Sequence, residues 1–394
     1  MITASRRAVL ALPLALPLAL PMALRSERSS AQPAPLRVLR IVIAAQEPLD
    51  LAPLLGEFAQ SNQDLLLQVT LRQEDPAWVG GAFRQEQLEG GASQVDAVIT
   101  GTVGLMLGRA RHLWQPLPSG LLAASDGHLN FAGRQMRPLT NETAVIIASE
   151  PGGPLLLHRP SIVRNPPRSA AALLDYARQN PDSFMYPRPV DSSLGHQFVT
   201  LVPHLLKDSD PTEPATGWVR TWPFLAELGR YIPYYAASGG AALEEFAEGG
   251  VRLLPAPLGI YLHHHMEGLL PPDTSFSLFE DAPLIAHGLF LTVPLNVPAE
   301  RLPLIEALGA FLLTPDIQTR GFGRGLLRGD REFSASNFDL ISTEDRDDFR
   351  RALPPSAARR LTALPVAPPL GPVQFDAMLR RWMETIGAVH RPPD

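Results

Sequence analysis

Length, composition and charge already exclude several classes of protein. The chain has 394 residues, 0 cysteines and a formal net charge of −6. A chain of this length exceeds the size at which one hydrophobic core usually stops growing, so two compact parts are expected. The lack of cysteine excludes disulfides, thiolate metal sites and a cysteine nucleophile. The acidic balance argues against nucleic-acid binding, which relies on basic surface.

The first 31 residues have the pattern of a bacterial export signal. Arg6 and Arg7 precede the apolar stretch 8–24, and Ser29-Ser30-Ala31 supplies a small-residue cleavage site. Adjacent arginines are typical of the twin-arginine route, although the general secretory route stays open. Prolines within the apolar stretch argue against a transmembrane helix, because each removes a helical N–H. We expect cleavage after Ala31 and a periplasmic location.

The next part of the chain alternates strands with helices. Strands are predicted at 36–45, 65–71 and 94–101, and helices at 51–60 and 83–89. This alternation predicts a parallel or mixed sheet with helices on both faces. Ligands bind such sheets beyond the carboxyl ends of strands. Gln46, Glu47 and Thr102 follow two of these ends, so they are candidate ligand-binding residues; helix capping or a solvated loop is the alternative.

A second series of elements begins after a strand at 143–148 and the breaker cluster 151–154. Ser169 is expected to cap a helix ending near residue 179. Further elements are predicted as a strand at 183–186, helices at 195–206 and 241–247, a strand at 284–293 and a helix at 300–313. The Pro- and Arg-rich stretch 350–372 is predicted to wrap around the fold.

Two regions resemble one protein family. The segments 165–169 (NPPRS), 173–177 (LLDYA) and 180–189 (NPDSFMYPRP) form the first, and 311–318 (FLLTPDIQ) forms the second. They are similar to bacterial extracellular solute-binding proteins of ABC importers, closest to the thiamine-binding and YnjB-like branch. The turn AAQEP at 44–48 departs from the Gly-rich, Trp-containing turn often found there, which leaves the ligand open.

The resemblance implies an α/β fold of the type II periplasmic-binding-protein class. Each of two lobes would be a mixed sheet flanked by helices, and a hinge of two strands would join them near 146–149 and 284–288. Lobe one would comprise residues 36–147 and 288–394, and lobe two residues 148–287. The implied function is capture of a small solute in the interlobe cleft and its delivery to an ABC permease after hinge closure. Such a protein is a non-enzymatic monomer without a cofactor, which meets the membrane only through its permease.

Candidate ligand-binding residues of the second lobe precede two predicted helices: Asp191, Ser192, Ser193, Tyr234, Ser238 and Gly239. Helix N-termini favour anions, whereas Asp191 favours a cation or a hydroxyl, so the charge of the solute stays open. An aromatic wall at Tyr234 would suit a planar or cationic solute, such as a thiamine-like compound or a polyamine. N-capping and core packing are the alternatives.

Two other interpretations of the sequence concern a metal site and an enzymatic function. His263, His264 and His265 suggest a metal, but neighbours on a helix or strand diverge by about 100° or 180° and cannot all face one ion. We therefore predict no metal site and an exposed or cleft-lining loop there. An exported cofactor- or metal-dependent enzyme is the rival function, yet no nucleophile elbow, phosphate loop, dinucleotide fingerprint or zinc-protease motif is present. A sensory module on the same fold also stays open.

Overall fold

The computed structural model describes residues 38–45, 51–64, 66, 68–91, 93–126, 129, 131–320, 347, 350–353 and 355–388. The predicted export signal, Gln46 and Glu47 lie outside these residues. Within the described ranges, no helix has the length and apolar character needed to cross a bilayer. The strands fall into a six-stranded sheet and a separate three-stranded sheet.

The elements have the following bounds. The strands are β1 Val38–Ala44, β2 Gln68–Gln73, β3 Ala97–Gly101, β4 Ala144–Gly153, β5 Leu155–His158, β6 Leu253–Ala256, β7 Ser275–Ser277, β8 Leu284–Thr292 and β9 Val366–Ala367. The helices are α1 Ala52–Ser61, α2 Ala77–Gly80, α3 Ala82–Glu89, α4 Thr102–Ala110, α5 Ser119–Asp126, α6 Phe131–Thr140, α7 Ala170–Gln179, α8 Ser193–Leu205, α9 Thr221–Leu228, α10 Gly239–Glu248, α11 Leu258–Met266, α12 Leu302–Leu312, α13 Pro315–Arg320, α14 Pro355–Thr362 and α15 Pro372–Trp382.

The larger sheet is mixed and carries apolar side chains on both faces. Its order is β2-β1-β3-β8-β4, with β9 beside β8. β1 pairs parallel with β2 and β3, whereas β8 runs antiparallel to β3 and β4. Along β1, Leu39, Ile41 and Ile43 enter one core, and Val42 and Ala44 enter the other. Successive side chains of a strand point to opposite faces of the sheet, and both faces here are apolar. Helices therefore cover both faces.

The chain passes directly from the larger sheet into the smaller one. β4 runs through Gly153, and β5 begins two residues later in the smaller sheet. The prediction that the 151–154 cluster breaks this strand is therefore wrong. Gly152 makes the continuation feasible, because its φ of +78° suits glycine and a Cβ there would lie 1.9 Å from the carbonyl oxygen of Ile285. The chain returns between β7 and β8, and the proposed lobe boundaries stay a prediction.

Most predicted helices and strands are confirmed with shifted ends, but three segments differ. Residues 183–186 form only an isolated bridge, between Phe184 and Leu253, because the prolines that follow cannot donate ladder hydrogen bonds. His263–His265 belong to α11 and not to a loop, since Ile260 and Leu262 of the same helix are buried in the core. The 350–372 stretch contains α14 and β9, and α15 has no counterpart among the predicted elements.

Candidate functional site

Polar groups lie at the carboxyl end of the central strand β3 of the larger sheet. β3 leads into α4, whose first residue, Thr102, is fully buried. No hydrogen-bond partner for its Oγ1 is present in the described part of the chain, and no side chain caps this helix. His287 of β8 lies beside this point, with its Cε1 3.9 Å from the position of a Cβ on Gly101. The candidates Gln46 and Glu47 follow β1 and are outside the described residues.

Two helices begin close together in the second part of the fold, the part that contains the smaller sheet. Ser192 is buried, and its Oγ accepts a hydrogen bond from the Leu194 amide at 3.2 Å at the start of α8. Ser238 accepts one from the Ala241 amide at 3.1 Å at the start of α10. A Cβ on Gly239 would lie 3.0 Å from the Ser192 hydroxyl. The structure thus brings these candidates together; both serines act as N-caps, and their ligand-binding role stays a prediction.

Asp191 and Ser193 flank the same helix start. Ser193 is buried at the first position of α8. Asp191 forms an ion pair with Arg188 at 2.8 Å. Burial raises the pKa of Asp191, the Arg188 guanidinium opposes that shift, and the Asp75 carboxylate adds to it. Asp75 lies between β2 and α2, in the part of the chain that forms the larger sheet.

The neighbouring aromatic residues Tyr234 and Tyr235 divide between the surface and the core. Tyr234 is 36% exposed and donates a hydrogen bond to the Glu245 carboxylate at 2.7 Å. That hydrogen bond, with a smaller contribution from burial, raises the pKa of Tyr234 to about 12. Tyr235 instead packs against Tyr186, with ring centroids 5.1 Å apart, and against Trp382 at 4.9 Å. The Tyr235 ring therefore packs against α15 of the same chain.

Two buried polar residues and a partly buried histidine have no counterpart among the residues predicted from the sequence. His196 and Gln197 lie in α8 at 0% exposure, and the His196 ring centroid is 6.3 Å from that of His287. Burial holds the pKa of His196 well below its usual value, and His287 lowers it further. Burial also lowers the pKa of His287 to about 4. Both imidazoles are therefore neutral at pH 7. The polar pair inside the apolar run GHQFVTLV was the available signal.

The helix α15 contacts both parts of the fold. Asp376 forms an ion pair with Arg111, which follows α4, at 2.8 Å. Phe375 meets the His196 ring edge-on at 5.4 Å. At the other end, the Trp382 indole donates a hydrogen bond to the Tyr186 hydroxyl at 3.1 Å. α15 therefore closes over the polar groups of α8.

Other aromatic and histidine side chains make structural contacts. Trp218 and Trp222 pack together with ring centroids 5.2 Å apart. The His264 Nδ1 lies 3.0 Å from the Ile260 carbonyl oxygen, one turn earlier in α11. In the portion of the chain that is described, no three His, Asp or Glu side chains are placed to hold a metal ion.

Comparison with known proteins identifies the fold through solved structures. No family model and no curated protein matches the sequence. A spermidine/putrescine ABC transporter substrate-binding protein from Streptococcus pneumoniae is 13% identical, with a TM-score of 0.61 over 89% of this chain and 99% of that one. An ABC transporter protein from Clostridium perfringens is 10% identical, with a TM-score of 0.63 over 90% and 100%.

A third solved structure gives the same result. A periplasmic thiamin binding protein is 14% identical, with a TM-score of 0.62 over 90% of this chain and 96% of that one. At such low identity the likeness establishes the fold, and it extends over nearly the whole length of each neighbour. The chain therefore has the two-lobed α/β fold of ABC-transporter substrate-binding proteins, as the sequence predicted.

Proposed function

We propose that this chain is the periplasmic solute-binding component of an ABC transporter. One observation carries the proposal: the chain matches a spermidine/putrescine substrate-binding protein and a thiamin binding protein over 89–90% of its length and over 96–99% of theirs. The N-terminal signal pattern agrees with export to the compartment where such proteins work. We propose no enzymatic activity, a monomeric state, and an ABC permease as the macromolecular partner.

The candidate site supports this proposal by its position. Polar groups at the start of α4 and on β8 belong to the larger sheet, whereas Ser192 and Ser238 start helices of the second part. α8 contacts both β6 of the smaller sheet and β8 of the larger one. A solute held between these groups would contact both parts at once. Such contacts exist only when the parts are close, so the solute would shift the population toward the closed form.

Solute screening with two readouts tests the proposal. Spermidine, thiamine, uncharged sugars and oxyanions would each be added to the exported, signal-free protein. A true solute is expected to raise the melting temperature and to reduce the radius of gyration in solution scattering. Stabilisation without compaction would contradict hinge closure, and chemical conversion of a bound solute would support the enzyme alternative instead.

Paired threonine variants identify where the solute binds. Thr102→Val removes a buried hydroxyl that has no partner among the described residues, whereas Thr292→Val removes one that donates to the Val98 carbonyl oxygen at 3.0 Å. We expect the first substitution to weaken solute binding and the second to lower stability by about 1 kcal/mol without weakening binding. Equal binding by both variants would exclude Thr102 from the site.

A further inference from the structure

A cluster of uncharged polar side chains lies between the two sheets. His196 and Gln197 are wholly buried in α8, and His287 faces His196 from β8. Both ring nitrogens of His196, both amide atoms of Gln197 and Nδ1 of His287 lack a hydrogen-bond partner within the described residues. We call these three side chains the imidazole–amide cluster. Phe375 of α15 covers one side of it.

Leaving these atoms without partners is costly. A buried donor or acceptor that loses its partner costs roughly 1–3 kcal/mol, whereas an apolar side chain of the same shape would avoid that cost. Buried polar groups in folded proteins are otherwise nearly always satisfied. Gln87 illustrates the ordinary case, because its amide bonds to Ser93 at 3.4 Å and accepts from the Asn296 amide at 3.3 Å. The cluster therefore has unused hydrogen-bonding capacity.

We propose that the imidazole–amide cluster is the subsite that binds an uncharged hydrogen-bonding group of the solute, such as a hydroxyl, a carboxamide or a nitrogen-heterocycle edge. The assignment rests on the proposed solute-binding function and adds the chemical class of the bound group. A neutral imidazole offers one donor and one acceptor, and the amide of Gln197 offers both. A solute group that carries both a donor and an acceptor would complement the His196–His287 pair, and Gln197, the next residue of α8, offers a further donor and acceptor.

An ammonium group does not fit this cluster. It would lose its hydration, and the described side chains of the cluster itself are uncharged, so they offer it no countercharge. Glu150 is the cross-strand partner of His287, but its carboxylate packs against α11, where a Cβ on Gly259 would lie 2.7 Å from Oε2. A carboxylate facing His287 would raise the pKa of that ring, whereas burial lowers it to about 4.

Apolar variants test the cluster without any solute. Gln197→Met and His196→Leu remove unsatisfied polar atoms, so the melting temperature of the solute-free protein is expected to stay the same or rise. The matched controls are Gln87→Met and His158→Leu, which remove hydrogen-bonded buried side chains and are expected to lower it. A fall in both cluster variants equal to that in the controls would show a structural network and overturn the proposal.

Calorimetric titration tests the chemical class. The probes are nicotinamide, cytosine and myo-inositol, which are uncharged, with spermidine as the cationic comparison. At least one uncharged probe is expected to bind wild-type protein and to lose about tenfold or more in affinity on Gln197→Met, while Gln87→Met binds normally. Binding of spermidine alone, unchanged in Gln197→Met, would overturn the subsite and leave the proposed function standing. If no uncharged probe binds, and the cluster variants leave the melting temperature unchanged, the cluster is a structural water site only. That result would also overturn the proposed subsite.

Discussion

Truncation of Trp382 is predicted to release the C-terminal helix from the rest of the fold. This side chain is 2% exposed at the last position of α15. Its indole donates to the Tyr186 hydroxyl at 3.1 Å, and its ring meets Tyr235 edge-on at 4.9 Å. Trp382→Ala therefore removes an apolar body, an aromatic contact and a hydrogen-bond donor from one buried place.

The cost follows from those three losses. Truncating a buried Trp to Ala costs about 3–5 kcal/mol, and the value falls at the upper end when the site cannot collapse. Tyr186 is itself fully buried, so loss of its donor leaves a hydroxyl with fewer partners. We expect a loss of about 4–5 kcal/mol in the free energy of unfolding. Trp382→Phe keeps most of the apolar area and is expected to cost about 1–2 kcal/mol.

Urea unfolding, followed by circular dichroism at fixed pH, measures both variants. Limited proteolysis provides a second readout, since a released α15 would be cut before the remaining helices. A loss under about 1 kcal/mol for Trp382→Ala would refute the reasoning, because it would mean that α15 is not anchored through this side chain. Equal losses for the Ala and Phe variants would assign the effect to the hydrogen bond rather than to the ring.

Three further predictions concern stability and capping. Burial raises the pKa of Asp96, but its hydrogen bonds with Arg40 and Arg301 outweigh burial and lower it overall. The contribution of Asp96 to the free energy of unfolding is therefore present above the ordinary carboxyl pKa and is lost as the pH falls through the depressed value. Asp96→Asn should cost about 3–5 kcal/mol at pH 7 and should weaken the dependence of the urea midpoint on pH in the acid range. Ser238→Ala and Ser169→Ala each remove an N-cap and should cost about 1 kcal/mol by thermal unfolding, while only the former should weaken solute binding. Gly152→Ala should destabilise by more than about 1–3 kcal/mol in the same assay, because its Cβ would meet the Ile285 carbonyl.

The fold was predictable because local patterns and packing agree along most of the chain. β1 has a buried aliphatic run that suits a central strand, and Ser169 caps α7 through the Ala172 amide at 3.2 Å. The continuation of β4 through Gly152 was not predictable. Proline and glycine in sequence signal a break, and only the close approach of β8 explains why glycine is needed inside that strand.

The candidate site was predictable only where strand ends and helix starts are visible in the sequence. Thr102, Ser192 and Ser238 were found on that basis, and the structure places the last two beside each other through Gly239. His196 was missed because a polar residue inside an apolar helix has no local signature of its partners. Its proximity to His287, 91 positions away in sequence, depends on how α8 packs against β8.

The contacts of α15 bear on how the proposed lobes would separate. Opening requires α15 to leave either α4 or the aromatic cluster around Tyr186, since it contacts both. Leaving the cluster exposes Trp382 and costs about 3–5 kcal/mol by analogy with its truncation. Leaving α4 breaks the partly buried Arg111–Asp376 ion pair, together with apolar contacts of the helix. Because both routes cost energy, α15 would resist separation of the proposed lobes without preventing the closure that a bound solute stabilises. Arg111→Ala removes only the ion pair, so it should expand the solute-free protein in solution scattering while leaving the aromatic anchor intact.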